Sequence, residues 1–206
     1  MSAQSILGGV LALGAGVLAY ASLIERNRFT TRRETVDALE PGASDIRVLH
    51  LSDIHLAPWQ DRKVEWMRSL RRLNPDLVVV TGDSLGHADS IPLLGRALET
   101  FAGIPGVFVH GSNDYFAPRM PNPFTYLLRP SKPDEEGAAL DTAALDALYA
   151  RLGWVGVDNT ATRVTVNGTS LVVAGTDDPH LGRDDLDAMA NDLDNIADTG
   201  APFSAL

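Results

Sequence analysis

Apolar residues fall into short runs separated by polar stretches of a different period. Val48-Leu49-His50-Leu51, Leu77-Val78-Val79-Val80 and Val107-Phe108-Val109 are almost continuously apolar, as strands buried on both faces of a parallel sheet are. Strands are therefore expected at Ile46–Ser52, Leu77–Thr81 and Val107–His110. Between them, Val64, Trp66, Met67, Leu70 and Leu73 recur at helical spacing within Gln60–Leu73, as do Leu93, Leu94, Leu98 and Phe101 within Ile91–Phe101. Strand, helix and strand in this rhythm predict βαβ units, each about 30 residues long or more. The fold class is α/β. Further on, Leu140–Leu152 reads as a helix, and Thr162–Val166 and Thr169–Ala174 flank Asn167-Gly168, a tight-turn signal for a hairpin. Arg183–Asp198 sets Leu186, Met189, Ala190, Leu193 and Ile196 on one face, so its aspartates read as the solvated side of an amphipathic helix. Tyr115–Gly137, with five prolines from Pro118 to Pro133, reads as a long loop, and loops of that length are usually functional or disordered.

The amino-terminal pattern is of another kind. Residues Ile6–Ile24 form a nineteen-residue stretch without charge, about what one bilayer-spanning helix needs. Arg26, Arg28, Arg32 and Arg33 follow it closely, and the positive-inside rule puts that end in the cytoplasm. Ala19-Tyr20-Ala21 resembles a signal-peptidase site, but no basic residue precedes the run, and the run exceeds a usual signal-peptide core. The expected organisation is a transmembrane anchor over 1–25, a linker over 26–44 holding a short strand in Phe29–Val36, and a cytoplasmic domain over 45–206. Gly8, Ala12 and Gly16 give the anchor one small face, as some membrane dimers have; the oligomeric state stays open.

Charge narrows the partners. A net charge of −10 over 206 residues opposes binding to nucleic acid, whereas a phosphorylated small molecule or lipid can bind where metal cations reverse the sign locally. With no cysteine, disulfides and thiolate metal sites are excluded.

Three polar side chains follow the three apolar runs at a constant interval of thirty residues: Asp53, Asp83 and Asn113. Ligands in parallel sheets bind beyond the carboxyl ends of the strands, so these positions are expected to share one crevice with His55 and Asp114. Oxygen and imidazole donors gathered there suit Mn, Fe, Zn or Mg. His87, four residues past Asp83, is a further candidate to line the crevice. Asp178 and His180 follow the apolar run Leu171–Ala174 and are further candidates to line the site, whereas His50 and His110 lie inside strands and read as packed residues.

The runs Arg47-Val48-Leu49-His50-Leu51-Ser52-Asp53-Ile54-His55 and Val78-Val79-Val80-Thr81-Gly82-Asp83, followed by Gly111-Ser112-Asn113-Asp114, resemble the Asp-x-His, Gly-Asp and Gly-Asn-His-Asp/Glu motifs of calcineurin-like metallophosphoesterases. The resemblance covers residues 45–206, and Thr176-Asp177-Asp178-Pro179-His180 is similar to a run in bacterial membrane-associated members. It implies the amino-terminal part of an α-β-β-α sandwich with two divalent metal ions. Asp53 and His55 would hold the first, Asp83 would bridge both, and a metal-bridging hydroxide would attack phosphorus in a phosphate ester or diphosphate, on a lipid-linked or nucleotide substrate. Ungapped alignment puts Ser112 at the family's ligand asparagine and Asn113 at its catalytic histidine. Asn113, with its amide oxygen, is the favoured ligand; Asn113 and Asp114 are then the candidate catalytic pair, Asp114 orienting the loop. His180 is the one histidine after Asn113, and no Gly-His-x-His motif follows. The expectation is that the chain lacks part of the domain and that these 206 residues alone are inactive. A non-catalytic, membrane-anchored binding protein with a degenerate site is the alternative.

Overall fold

The computed structural model describes residues 3–24, 27–118, 137–197 and 204–205. The chain divides into two compact units, Met1–Thr35 and Val36–Leu206.

In the first unit, α1 (Ala3–Leu23) is a helix of 21 residues with no acidic first turn and no basic last turn. It covers most of the segment expected to be an anchor. Among the described residues, however, no helix is long and apolar enough to cross a membrane, so the expected transmembrane helix is without structural support. The strand expected within Phe29–Val36 does not form. These residues are irregular and mostly exposed, and extended backbone without a partner strand gains no ladder hydrogen bonds.

The second unit begins its regular structure with β1 (Val48–Leu51), α2 (Asp61–Ser69), β2 (Leu77–Thr81), α3 (Ile91–Leu98) and β3 (Gly106–Val109). A single helical turn, α4 (Ser112–Tyr115), is followed by α5 (Thr142–Leu152) and β4 (Trp154–Gly156). Strands β1 to β4 form one parallel sheet in chain order, with Leu49 opposite Val78, Val79 opposite Val107, and Val107 opposite Val155. The helices end where their chemistry says. Asp141 accepts from the Ala144 amide at 2.9 Å to open α5, and Gly153 closes it in the left-handed region. The start of the helix expected from Leu140 thus moves to Thr142, because Asp141 serves as its cap.

The remaining elements are β5 (Thr160–Val166), β6 (Thr169–Gly175), α6 (Leu186–Ala197) and β7 (Ser204–Ala205). They form a second sheet, β5-β6-β7, with β5 and β6 antiparallel around Asn167 and Gly168, both at positive φ as the tight turn requires. One core, including Leu49, Leu51, Val64, Met67, Val78, Val80, Leu94, Leu98, Leu145 and Tyr149, lies between the first sheet and α2, α3 and α5. The second core joins the two sheets through Leu77, Val107, Val157, Val166, Leu171 and Val173, and α6 packs on β5.

His50 departs from the expectation of a strand buried on both faces. Leu49 and Leu51 are buried, but Val48 and His50 are exposed, and His50 Nε2 lies 2.8 Å from Thr81 Oγ1. β1 is an edge of its sheet, and the second sheet covers β2 and β3 instead.

Candidate metal centre

The carboxyl ends of β1 and β2 continue as two loops that run side by side. Asp53 N–H donates to Gly82 O at 3.3 Å, His55 N–H to Asp83 O at 2.8 Å, Leu56 N–H to Ser84 O at 3.0 Å, and Gly86 N–H to Leu56 O at 2.8 Å. This ladder holds Asp53, His55 and Asp83 at φ of 51°, 41° and 53°. Six described non-glycine residues have positive φ, and the other three are asparagines, the type that tolerates it best. Backbone of this kind costs about 1–3 kcal/mol per residue and persists where the surroundings over-determine it.

Glycine makes the third loop fit. A Cβ on Gly111 would stand 2.3 Å from Asp83 Oδ1, and one on Gly82 would stand 2.8 Å from Gly111 N. The loops after β2 and β3 are thus in backbone contact, which brings α4 onto Asp83.

Asp53, His55 and Asp83 each present one ligand atom, all within 4.8 Å of one another. His55 Nε2 is 3.5 Å from Asp83 Oδ2 and 4.0 Å from Asp53 Oδ1. The Asn113 amide N–H donates to Asp83 Oδ1 at 2.9 Å, and its side-chain Nδ2 to Asp83 Oδ2 at 2.8 Å. Of the two candidates at this position, it is the Asn113 side chain, not that of Ser112, that meets Asp83. Ser52 Oγ donates to Asp53 Oδ2. Asp83 therefore stands between the first loop's ligands and Asn113. Two carboxylates, an imidazole and an adjacent carboxamide are a donor set suited to Mn, Fe, Zn or Mg, and among the described residues the converging carboxylates pair with His55 and with no lysine or arginine, so the residues fit a divalent ion.

Asp114 is placed differently from its expected catalytic pairing with Asn113. Its side chain is 1% exposed. Oδ1 accepts from the amides of Ser84 (2.8 Å) and Leu85 (3.1 Å), and Oδ2 from that of Gly111 (3.1 Å). Burial pushes its pKa up to about 6, against the pull of the amides of Gly111 and Leu85. Buried under the loops it joins, Asp114 is a positioning residue. The loop-orienting role agrees with this place; a catalytic role does not.

The other candidates scatter. His87 caps the turn at Ala88–Ser90, its Nδ1 accepting from Asp89 N at 3.1 Å. Asp178 is buried and accepts from the amides of His180 (2.6 Å) and Leu181 (3.3 Å), so it shapes its own turn. The His180 side chain is 81% exposed and lies 3.4 Å from Asp178. His110 is packed, as expected. Its Nδ1 lies 2.8 Å from Asp158 Oδ2, and its Nε2 lies 3.0 Å from Asp146 Oδ1, off the line of a hydrogen bond, so that contact is ionic. Desolvation opposes the charge on His110, but the hydrogen bond to Asp158 and the nearby carboxylates prevail and raise its pKa.

Two features went unread in the sequence. Tyr115 O–H bonds Asp177 Oδ1 and Oδ2 at 2.8 and 2.9 Å, and the Arg183 guanidinium lies 4.0 Å over the Tyr115 ring. Trp59 stands beside His87 at the ends of the two ligand loops. The signal for Tyr115 was its place two residues after Asn113; the signal for Trp59 was Pro58 before it, which marks a turn.

A family model described as calcineurin-like phosphoesterase matches residues 46–198. A search of curated proteins gives no match.

Proposed function

The chain belongs to the calcineurin-like phosphoesterase family, and from that premise we propose that it hydrolyses a phosphate ester or diphosphate at a centre of two divalent metal ions. The observation that carries this is the convergence of Asp53, His55 and Asp83 within 4.8 Å on loops held in left-handed backbone. Bound divalent cations neutralise phosphate charge and lower the pKa of water to supply a nucleophile.

The chain's own contribution is placement. Asp53 and His55 come from one loop and Asn113 from another, with Asp83 between them, its Oδ2 toward His55 and its Oδ1 toward the Asn113 amide. In this reading Asp83 would help hold both ions. Asn113 in its present orientation donates to Asp83; turning its carboxamide over would offer Oδ1 to a cation while keeping the backbone contact. Asp114 ties the loops together beneath them.

The proposal extends to a membrane tether and a nucleotide or lipid-linked substrate. Its support is the uncharged segment Ile6–Ile24 with the arginines after it in the sequence.

The test is metal content and metal-dependent turnover of bis(p-nitrophenyl) phosphate by the full-length protein and its Asp83→Ala variant. Chelator-sensitive turnover in the wild type and loss of both metal and turnover in the variant are expected. Near-normal turnover in Asp83→Ala would refute the assignment of Asp83. Stoichiometric metal without turnover of any phosphoester would favour the binding-protein alternative.

A further inference from the structure

Trp59 is 65% exposed. The chain's other two tryptophans are taken up by the fold: Trp154 is 4% exposed and donates its Nε1–H to Ile104 O at 3.1 Å, and Trp66 packs against the helical core. Trp59 is not a frayed residue, however. It sits in a turn closed from both sides, with Gln60 N–H donating to Ala57 O and Gln60 Oε1 accepting from Ala57 N–H, each at 3.0 Å. Pro58 fixes the turn's first φ, and Ala57 is buried. The indole is held outward.

Its neighbour is His87, edge-on, with ring centroids 5.6 Å apart and planes at 73°. The His87 ring is itself fixed through Nδ1 by the Asp89 amide. The positions of these two rings relative to the candidate metal ligands match. Trp59 lies four residues past His55, His87 four residues past Asp83, and the loops between are hydrogen-bonded side by side up to Gly86. A Cβ on Gly86 would stand 2.6 Å from the backbone oxygen of His55, so His87, the next residue, starts beside the first ligand loop, and Trp59 stands against its ring.

We propose that Trp59 and His87 form an aromatic wall at the rim of the phosphoesterase site, which stacks against the base of a nucleoside attached to the scissile phosphate. The proposal rests on the reading of Asp53, His55 and Asp83 as the phosphoesterase centre. A flat, exposed indole braced by an imidazole edge offers a π face and no enclosing tunnel; that suits a planar ring better than an alkyl chain, which gains from being surrounded. The net charge of −10 opposes a polyanionic strand or an anionic membrane as occupant, whereas a mononucleoside phosphate carries few charges and places them at the cations. Stacking of a base on an aromatic side chain is worth about 1–3 kcal/mol, or roughly five- to more than hundredfold in affinity.

The test uses the full chain with Mg²⁺ and reads affinity by calorimetry, with tryptophan fluorescence alongside, during titration with adenosine monophosphate and, separately, ribose 5-phosphate. The wild type should bind the nucleotide at least tenfold more tightly, with quenching. Trp59→Leu should remove the quenching and reduce the preference to within about twofold, and Trp59→Phe should restore most of it. Equal affinities for the two ligands in the wild type, or an unchanged preference in Trp59→Leu, would overturn the wall, whatever the turnover. A normal nucleotide preference without hydrolysis of any phosphoester would fail the phosphoesterase reading and, with it, this placement of the wall.

Discussion

Replacing Asp114 with alanine removes one side chain but leaves the buried amides of Ser84 and Leu85 and the half-buried amide of Gly111 without their acceptor. A buried donor left unpaired costs about 1–3 kcal/mol, so the gross loss from the two buried amides is roughly 2–6 kcal/mol. Against it stands the relief of a buried carboxylate whose pKa is raised from 3.8 to about 6, chiefly by desolvation. A raised folded-state pKa means that the protonated form is favoured by folding. Its stabilisation is full below pH 3.8 and is lost as pH rises through about 6. Linkage over that interval amounts to about 1.4 kcal/mol between pH 5 and pH 8. Asp114→Ala should therefore unfold more easily than wild type, and the gap should be about 1.4 kcal/mol wider at pH 5 than at pH 8. Asp114→Asn retains an oxygen for Ser84 and Leu85 but turns its NH₂ toward the Gly111 amide. It should lose about 1–2 kcal/mol at pH 8 and lack the wild type's pH slope. Urea denaturation followed by circular dichroism, on chelator-treated full chain, reads all three proteins. An Asp114→Ala protein within about 0.5 kcal/mol of wild type, or a gap equal at both pH values, would refute the view of Asp114 as the buried tie between the loops.

Gly111→Ala would set a Cβ 2.3 Å from Asp83 Oδ1; it should weaken Mn²⁺ binding at least tenfold by calorimetry while circular dichroism stays native, and wild-type affinity would show that the loops have room to spare. A cytoplasm-dependent reporter fused after Asp45 should be active if the arginines after Ile24 hold that end inside, and activity from a periplasmic or extracellular reporter alone would overturn the proposed topology. His110→Gln should lose more stability at pH 6 than at pH 8.5 by urea denaturation, because a histidine with raised pKa stabilises the fold below pH 6.5 and loses that contribution as pH rises through its folded value; a pH-independent loss would remove the charge on His110 from the account.

The strands and helices that were legible in the sequence are those whose apolar period is long and unbroken. β2 matches its expected limits, and the hairpin turns where Asn167-Gly168 says it must. β4 escaped because it is three residues long, bounded by Gly153 and ending in Gly156, too short to show a period. His50 was misplaced for a topological reason. An apolar run reveals that a strand is buried on at least one face, but not whether a second sheet reaches its edge of the first, and at β1 none does among the described residues.

The site was legible where chemistry is carried by a residue type at a strand end, and illegible where it depends on what the chain does between those ends. Asp53, His55 and Asp83 announce themselves by identity and interval. Their left-handed backbone does not, since nothing in Asp-Ile-His or Gly-Asp requires it. Yet that backbone bears on the argument. At about 1–3 kcal/mol each, three such residues hold on the order of 3–9 kcal/mol of strain in two adjacent loops, and glycine at any of them would relieve it. The strain buys the one thing a glycine lacks, a ligand atom turned inward, and the ladder from Asp53 to Gly86 together with Asp114 is what keeps it from relaxing. The buried ties and the exposed ligands thus form a single device: removing Asp114 loosens both loops and the ligand geometry together, whereas glycine in place of one ligand relieves that residue's strain and removes its ligand atom alone.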